Sequence, residues 1–98
     1  MSKYKLPIDH KRLETFCRKH HIKKLSFFGS ILRDDFGPNS DIDVLVEFEP
    51  GTKIGLRFFT IERELSEVLG RKVDLNTMGF LSDHFRNDVI RESEIQIG

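Results

Sequence analysis

The chain has 98 residues, 38% of them hydrophobic and 33% charged, with a formal net charge of zero. That is enough for one domain over residues 1–98 with a single modest core, leaving added specificity to loops or a partner. The composition excludes wholesale disorder, and a neutral chain is a poor electrostatic binder of nucleic acid. No apolar run approaches the roughly 20 residues of a membrane span. The first residues, Met1-Ser2-Lys3-Tyr4-Lys5, lack the apolar stretch of a secretory signal, so a cytoplasmic location is expected. A single cysteine, Cys17, rules out an intrachain disulfide and reads as core filler.

Charge is unevenly spread. Eight basic residues oppose only Asp9 and Glu14 in the first quarter of the chain, whereas 34–49 carries acids alone: Asp34, Asp35, Asp41, Asp43, Glu47 and Glu49. Leu13, Phe16, Cys17 and His20 fall at helical spacing after Pro7, with Asp9 placed to cap the start, which predicts an amphipathic helix with a basic outer face. Residues 22–28 read as a strand ended by Gly29, 31–35 as a short helical turn, and 36–40 as a turn by composition. A second strand follows over 42–48, with Ile42, Val44 and Val46 toward the core and Asp41, Asp43 and Leu45 opposite. Phe58, Ile61, Leu65 and Val68 predict a helix over about 54–69, closed by Gly70. A third strand is expected over 71–75, and a last helix from Leu81, Phe85, Val89 and Ile90. The class is therefore α/β, a small mixed sheet flanked by helices.

The chemistry is concentrated at Gly29-Ser30, which is followed after ten intervening residues by Asp41-Ile42-Asp43. Side chains two apart on a strand share a face, roughly 7 Å from each other, so Asp41 and Asp43 can offer two carboxylates to one point. Hard cations such as Mg²⁺ use one or two such groups together with substrate phosphates. Glycine at a strand end lets a phosphate approach the backbone, and the Ser30 hydroxyl can donate to it. If Ser30 opens a helical turn, the helix dipole would add to this. Asp74 supplies a third acid within an apolar stretch, unless it merely faces solvent. Arg33 could hold phosphate or pair with Asp34 or Asp35. Lys53, Arg71 and Lys72 read as solvated surface. The histidines show no metal-ligand spacing, and in each of the pairs Phe27-Phe28 and Phe58-Phe59 only one ring is expected to face the core.

Gly29-Ser30, ten residues, Asp41-Ile42-Asp43 resembles the signature of the DNA-polymerase-β-like nucleotidyltransferases. The match is strongest to their minimal, MNT-type branch, antitoxins found beside HEPN-domain toxins. Ser40 and Arg33 also suit that pattern. The resemblance implies that Asp41, Asp43 and Asp74 form the catalytic and metal-binding set for one or two Mg²⁺ ions, while Gly29, Ser30 and Arg33 hold the ATP triphosphate. It further implies transfer of AMP to a hydroxyl, a tyrosine of the HEPN partner in the resembling antitoxins. The alternative is a non-catalytic module that neutralises its partner by complex formation. Transfer to a small molecule would require further residues for an acceptor pocket.

Overall fold

The computed structural model describes residues 7–34, 36–80 and 83–98, with all their side chains except those of 80 and 83–85. The first helix, α1, spans His10–Lys19, and the Asp9 carboxylate accepts hydrogen bonds from the Lys11 and Arg12 amides at 3.1 and 3.2 Å. These satisfy two of the donors that a helix start leaves open. Four strands follow, β1 (Ile22–Phe28), β2 (Ile42–Phe48), β3 (Val73–Thr77) and β4 (Glu94–Ile97), with helices α2 (Arg57–Leu69) and α3 (Asp83–Glu92) between them. The sheet order is β3-β2-β1-β4, with β1 antiparallel to β2 and β4, and β2 parallel to β3. A parallel pair needs a long crossover, and α2 is that crossover.

One sheet face is the core. Leu25 and Phe27 of β1, Ile42, Val44 and Val46 of β2, and Val73 and Leu75 of β3 pack against Leu13, Phe16 and Cys17 of α1 and Ile61, Leu65 and Leu69 of α2. The alternation expected for β2 is therefore observed, and it turns Asp43 and Leu45 to the other face. There a second, small cluster of Phe28, Leu45, Met78 and Val89 lies along α3. The outer edge of β3 is also tied to α2: the Val73 amide donates to Ser66 Oγ at 3.1 Å and the Leu75 amide to Glu62 Oε2 at 2.8 Å. Edge donors that would face water are thus satisfied, and Asp74 between them is fixed in height.

The structure departs from the sequence expectation at several element boundaries. α2 begins at Arg57 rather than about 54, because Gly55 has a φ of +53°, which an α-helix does not accept. β3 begins at Val73, two residues late, because β2 itself begins at Ile42 and the ladder therefore opens at Ile42 and Val73. β4 was not anticipated, although Glu94-Ile95-Gln96-Ile97 alternates as a strand should. Of Phe27 and Phe28 only Phe27 faces the core, as expected, while Phe28 is buried on the opposite face beneath α3. In the other pair, Phe58 packs on the core while Phe59 is 67% exposed. Leu81, the Phe85 side chain, Lys3, Lys5 and Asp35 lie outside the described residues.

Candidate active site

Sheet register brings the predicted acids together. Asp43 is opposite Phe28 on one side and opposite Asp74 on the other, and neighbouring strands lie about 4.8 Å apart. Asp41, immediately before β2, shares the face of Asp43. Asp41 and Asp43 are half-buried and Asp74 is exposed, so Asp74 faces solvent at the rim of the acidic row rather than away from it.

Gly29 follows β1 with a φ of +76°, and a Cβ built there would stand 2.2 Å from Asp43 Oδ2. The Asp43 carboxylate therefore occupies the space that any other residue's side chain would need. The turn after the strand is a four-residue 3₁₀ helix, Gly29–Leu32, rather than a turn over 31–35. So short a turn, four residues long, has no macrodipole to offer a phosphate, contrary to the expectation for Ser30. What remains beside Asp43 is the bare Gly29 backbone and the charge of exposed Arg33, with Ser30, half-buried, next in the turn.

Electrostatics follows from this crowding. The Asp43 carboxyl is pushed above the usual carboxylate range, first by burial, then by Asp74 and Asp41, with Arg33 opposing them. Lys72 Nζ lies 4.0 Å from Asp41 Oδ2. Among the described residues no three His, Cys, Asp or Glu side chains close into a ready-made metal cage. Such an open donor set fits Mg²⁺, which takes one or two carboxylates and completes its shell with water and phosphate oxygens. The crowded negative charge and the bare backbone over Asp43 fit a cation and a phosphate arriving together.

Further along the same face, beneath α3, lies a cavity of about 210 Å³ whose wall includes Ser26, Leu45, Met78 and Ile90. Leu45 is two residues beyond Asp43 on β2, and the acids themselves are outside the wall. Arg71, expected from the sequence at the solvated surface, is instead half-buried and engaged near the site. The Arg71 guanidinium donates to the carbonyls of Gly37 and Ser40 and lies over the Phe36 ring. Its partners are more than thirty residues away in the chain, so no local pattern could have marked it. Among the histidines, buried His20 pairs with Glu64, His10 contacts Gln96 at 2.9 Å and His21 is exposed, while the His84 side chain lies outside the described residues.

Residues 10–96 match the family of nucleotidyltransferase domains. The chain belongs to that family. Its relatives include protein adenylyltransferase MntA of Thermococcus cleftensis, 34% identical over 72% of this chain and 71% of the relative. A protein of Methanocaldococcus jannaschii with the provisional name protein adenylyltransferase is 39% identical over 81% and 80% of the two chains. Among solved structures, a provisionally assigned minimal nucleotidyltransferase superposes with a TM-score of 0.72 at 29% identity, covering 87% of this chain and 86% of that one. A toxin–antitoxin complex with AMP-PNP has a chain with a TM-score of 0.75 at 20% identity, covering 93% and 74%. A chain of the Shewanella oneidensis complex between an MNT antitoxin and a tri-AMPylated HEPN toxin superposes with a TM-score of 0.66 at 19% identity, covering 91% and 69%. At these two identities the likeness is one of fold. For this nucleotidyltransferase, the polymerase-β-like core expected from the motif is the observed one.

Proposed function

We propose that this nucleotidyltransferase transfers AMP from Mg·ATP to a tyrosine hydroxyl of a HEPN-domain partner and so acts as its antitoxin. The observation that carries the reading is the register of Asp43 with Asp74 beside the bare Gly29 backbone. The names of the adenylyltransferase relatives and the AMPylated toxin in a fold neighbour support it. Asp41 and Asp43 would hold the cation, with Asp74 completing the set if a second ion binds. When bound, Mg²⁺ neutralises charge developing on the phosphate undergoing transfer and orients the leaving pyrophosphate. Gly29 gives the triphosphate access to the backbone, and Ser30 and Arg33 donate to its oxygens. With a single ion bound, Asp74, exposed at the rim, is instead the acceptor for the proton of the attacking hydroxyl. The acceptor oxygen forms a bond to the α-phosphorus, the α–β bridging P–O bond breaks, and pyrophosphate leaves.

The test is intact-mass analysis of the protein encoded beside this one after incubation with this chain, ATP and Mg²⁺. Asp41→Ala, Asp43→Ala protein serves as the control. A gain of one or more AMP masses that the variant does not produce is the expected result. A stable complex with no mass gain would instead make the chain a binding module.

A further inference from the structure

Asp41 is not held by the sheet. It follows residues 36–40, which form no regular element and include Gly37 and Pro38. Such a segment samples many conformations unless something fixes it, whereas a metal-binding carboxylate must stand within about 0.5 Å of its working position. Asp43 inherits its place from β2 and Asp74 from β3. Asp41 must obtain its place from the loop.

Arg71 is the residue that spans this gap. It stands between the C-cap of α2 at Gly70 and the start of β3, and its Nη2 donates to the Gly37 carbonyl and, at 3.0 Å, to the Ser40 carbonyl. Its guanidinium carbon lies 4.6 Å from the centroid of the Phe36 ring, which is itself 3% exposed and packed into the core. Within the loop, the Gly37 amide donates to Ser40 Oγ at 3.0 Å and the Ser40 amide to the Gly37 carbonyl at 3.1 Å. The Ile42 amide then donates to the Lys72 carbonyl at 2.9 Å. Loop 36–40 is thus folded on itself, stacked on one side and hydrogen-bonded on the other to the residue three positions before Asp74.

We propose that Arg71 is a positioning residue for the cation site, setting Asp41 relative to Asp43 and Asp74 by clamping loop 36–40 to the start of β3. This rests on the reading of those acids as the cation site. Lysine cannot take its place, because the clamp uses a planar group that stacks and donates to two carbonyls at once. Outer groups of this kind change metal affinity or activity about 10–100-fold when removed.

The experiment compares wild type with Arg71→Ala, Arg71→Lys and Phe36→Leu. Three readouts are taken: the Mg²⁺ concentration for half-maximal AMP transfer, Mn²⁺ binding by water-proton relaxation with AMP-PNP present, and amide hydrogen exchange. Arg71→Ala is expected to raise the Mg²⁺ requirement and weaken Mn²⁺ about 10–100-fold, to speed exchange at Gly37, Ser40 and Asp41, and to respond to tens of millimolar guanidinium. Arg71→Lys should recover little, and Phe36→Leu should shift all three readouts the same way by less. A fall in transfer with unchanged Mg²⁺ requirement and unchanged Mn²⁺ binding would overturn the proposal, as would unaltered exchange in the loop. If wild type transfers no AMP, the proposed function fails, while Mn²⁺ binding and exchange still decide for or against the clamp.

Discussion

The Gly29 backbone and the Asp43 carboxylate share one space, a Cβ on the first falling 2.2 Å from Oδ2 of the second. Gly29→Ala therefore carries two penalties, about 1–2 kcal/mol for the left-handed conformation at φ +76° and ~1–3 kcal/mol for the overlap. Displacing a reacting group by 1 Å costs on the order of 10²-fold in rate, so AMP transfer should fall at least that far. In an Asp43→Ala background only the conformational penalty remains. Urea unfolding of the four proteins should give a coupling of about 1 kcal/mol or more. Simple additivity would mean that the two groups do not compete.

Asp43 is a site residue that folding does not favour in its charged form. Its carboxyl is raised by burial and by Asp74 and Asp41, so the native state binds its proton more tightly than the unfolded chain does. For such a group stability is greatest below the unfolded value and declines as pH rises through the folded one. Asp43→Asn should consequently be more stable than wild type at pH 7 while losing activity. The gain is on the order of 1 kcal/mol or less, since the group is only half-buried and water screens it, and amounts to a few degrees in Tm. It should disappear in acid, where the wild-type carboxyl is also neutral. Mg²⁺ should raise the wild-type Tm more than that of the variant. A lower Tm for Asp43→Asn across the whole pH range would contradict the argument.

These residues also show how far the site could be seen from the sequence. β1 and β2 fall where the apolar runs place them, and the face of Asp43 follows from the alternation of Ile42, Val44 and Val46. The pairing of Asp43 with Asp74 depends on how α2 returns the chain to the sheet, a register that no local pattern encodes. Arg71 looks in the sequence like any basic residue after a helix, yet its partners are a ring and two carbonyls brought in by tertiary structure. The left-handed Gly70 was legible because the helix stripe stops there. β4 was missed for its length, four residues giving too few periods to stand out from a loop.

A second shifted carboxyl lies away from the site. Glu64 of α2 receives Lys19 Nζ at 2.7 Å and the ring Nε2 of buried His20 at the end of α1. Its carboxyl is held below the usual range, first by the hydrogen bond from Lys19 and then by that from His20. For a depressed acid the contribution to stability is present above the unfolded value and is lost as pH falls through the folded one. Glu64→Gln should thus lower stability near neutrality by about 1 kcal/mol or less, given the solvent around Glu64, and should match wild type in strong acid. AMP transfer should be untouched at temperatures where both proteins are folded. A stability difference that persists unchanged in acid would place its origin in packing rather than charge.

The ends of α1 and α2 meet the same geometric demand with different residues. After α1, His21 has a φ of +58°, and its amide donates to the Arg18 carbonyl at 3.4 Å; after α2, Gly70 has a φ of +68°, and its amide donates to the Glu67 carbonyl at 3.3 Å. A side chain in this region costs about 1–2 kcal/mol, whereas glycine gives back roughly 0.5–1 kcal/mol through the greater freedom of its unfolded chain. His21 is exposed, and its carbonyl, which accepts from the Glu49 amide at 2.8 Å, is retained by any residue. His21→Gly should therefore stabilise the protein by about 0.5–1 kcal/mol, with His21→Ala close to wild type because it keeps the Cβ. Gly70→Ala should destabilise by a similar amount, since no neighbour stands within 4 Å of the added carbon and conformation alone decides. Urea midpoints measure all three, and equal midpoints for the alanine and glycine variants at position 21 would show that the left-handed turn carries no strain there.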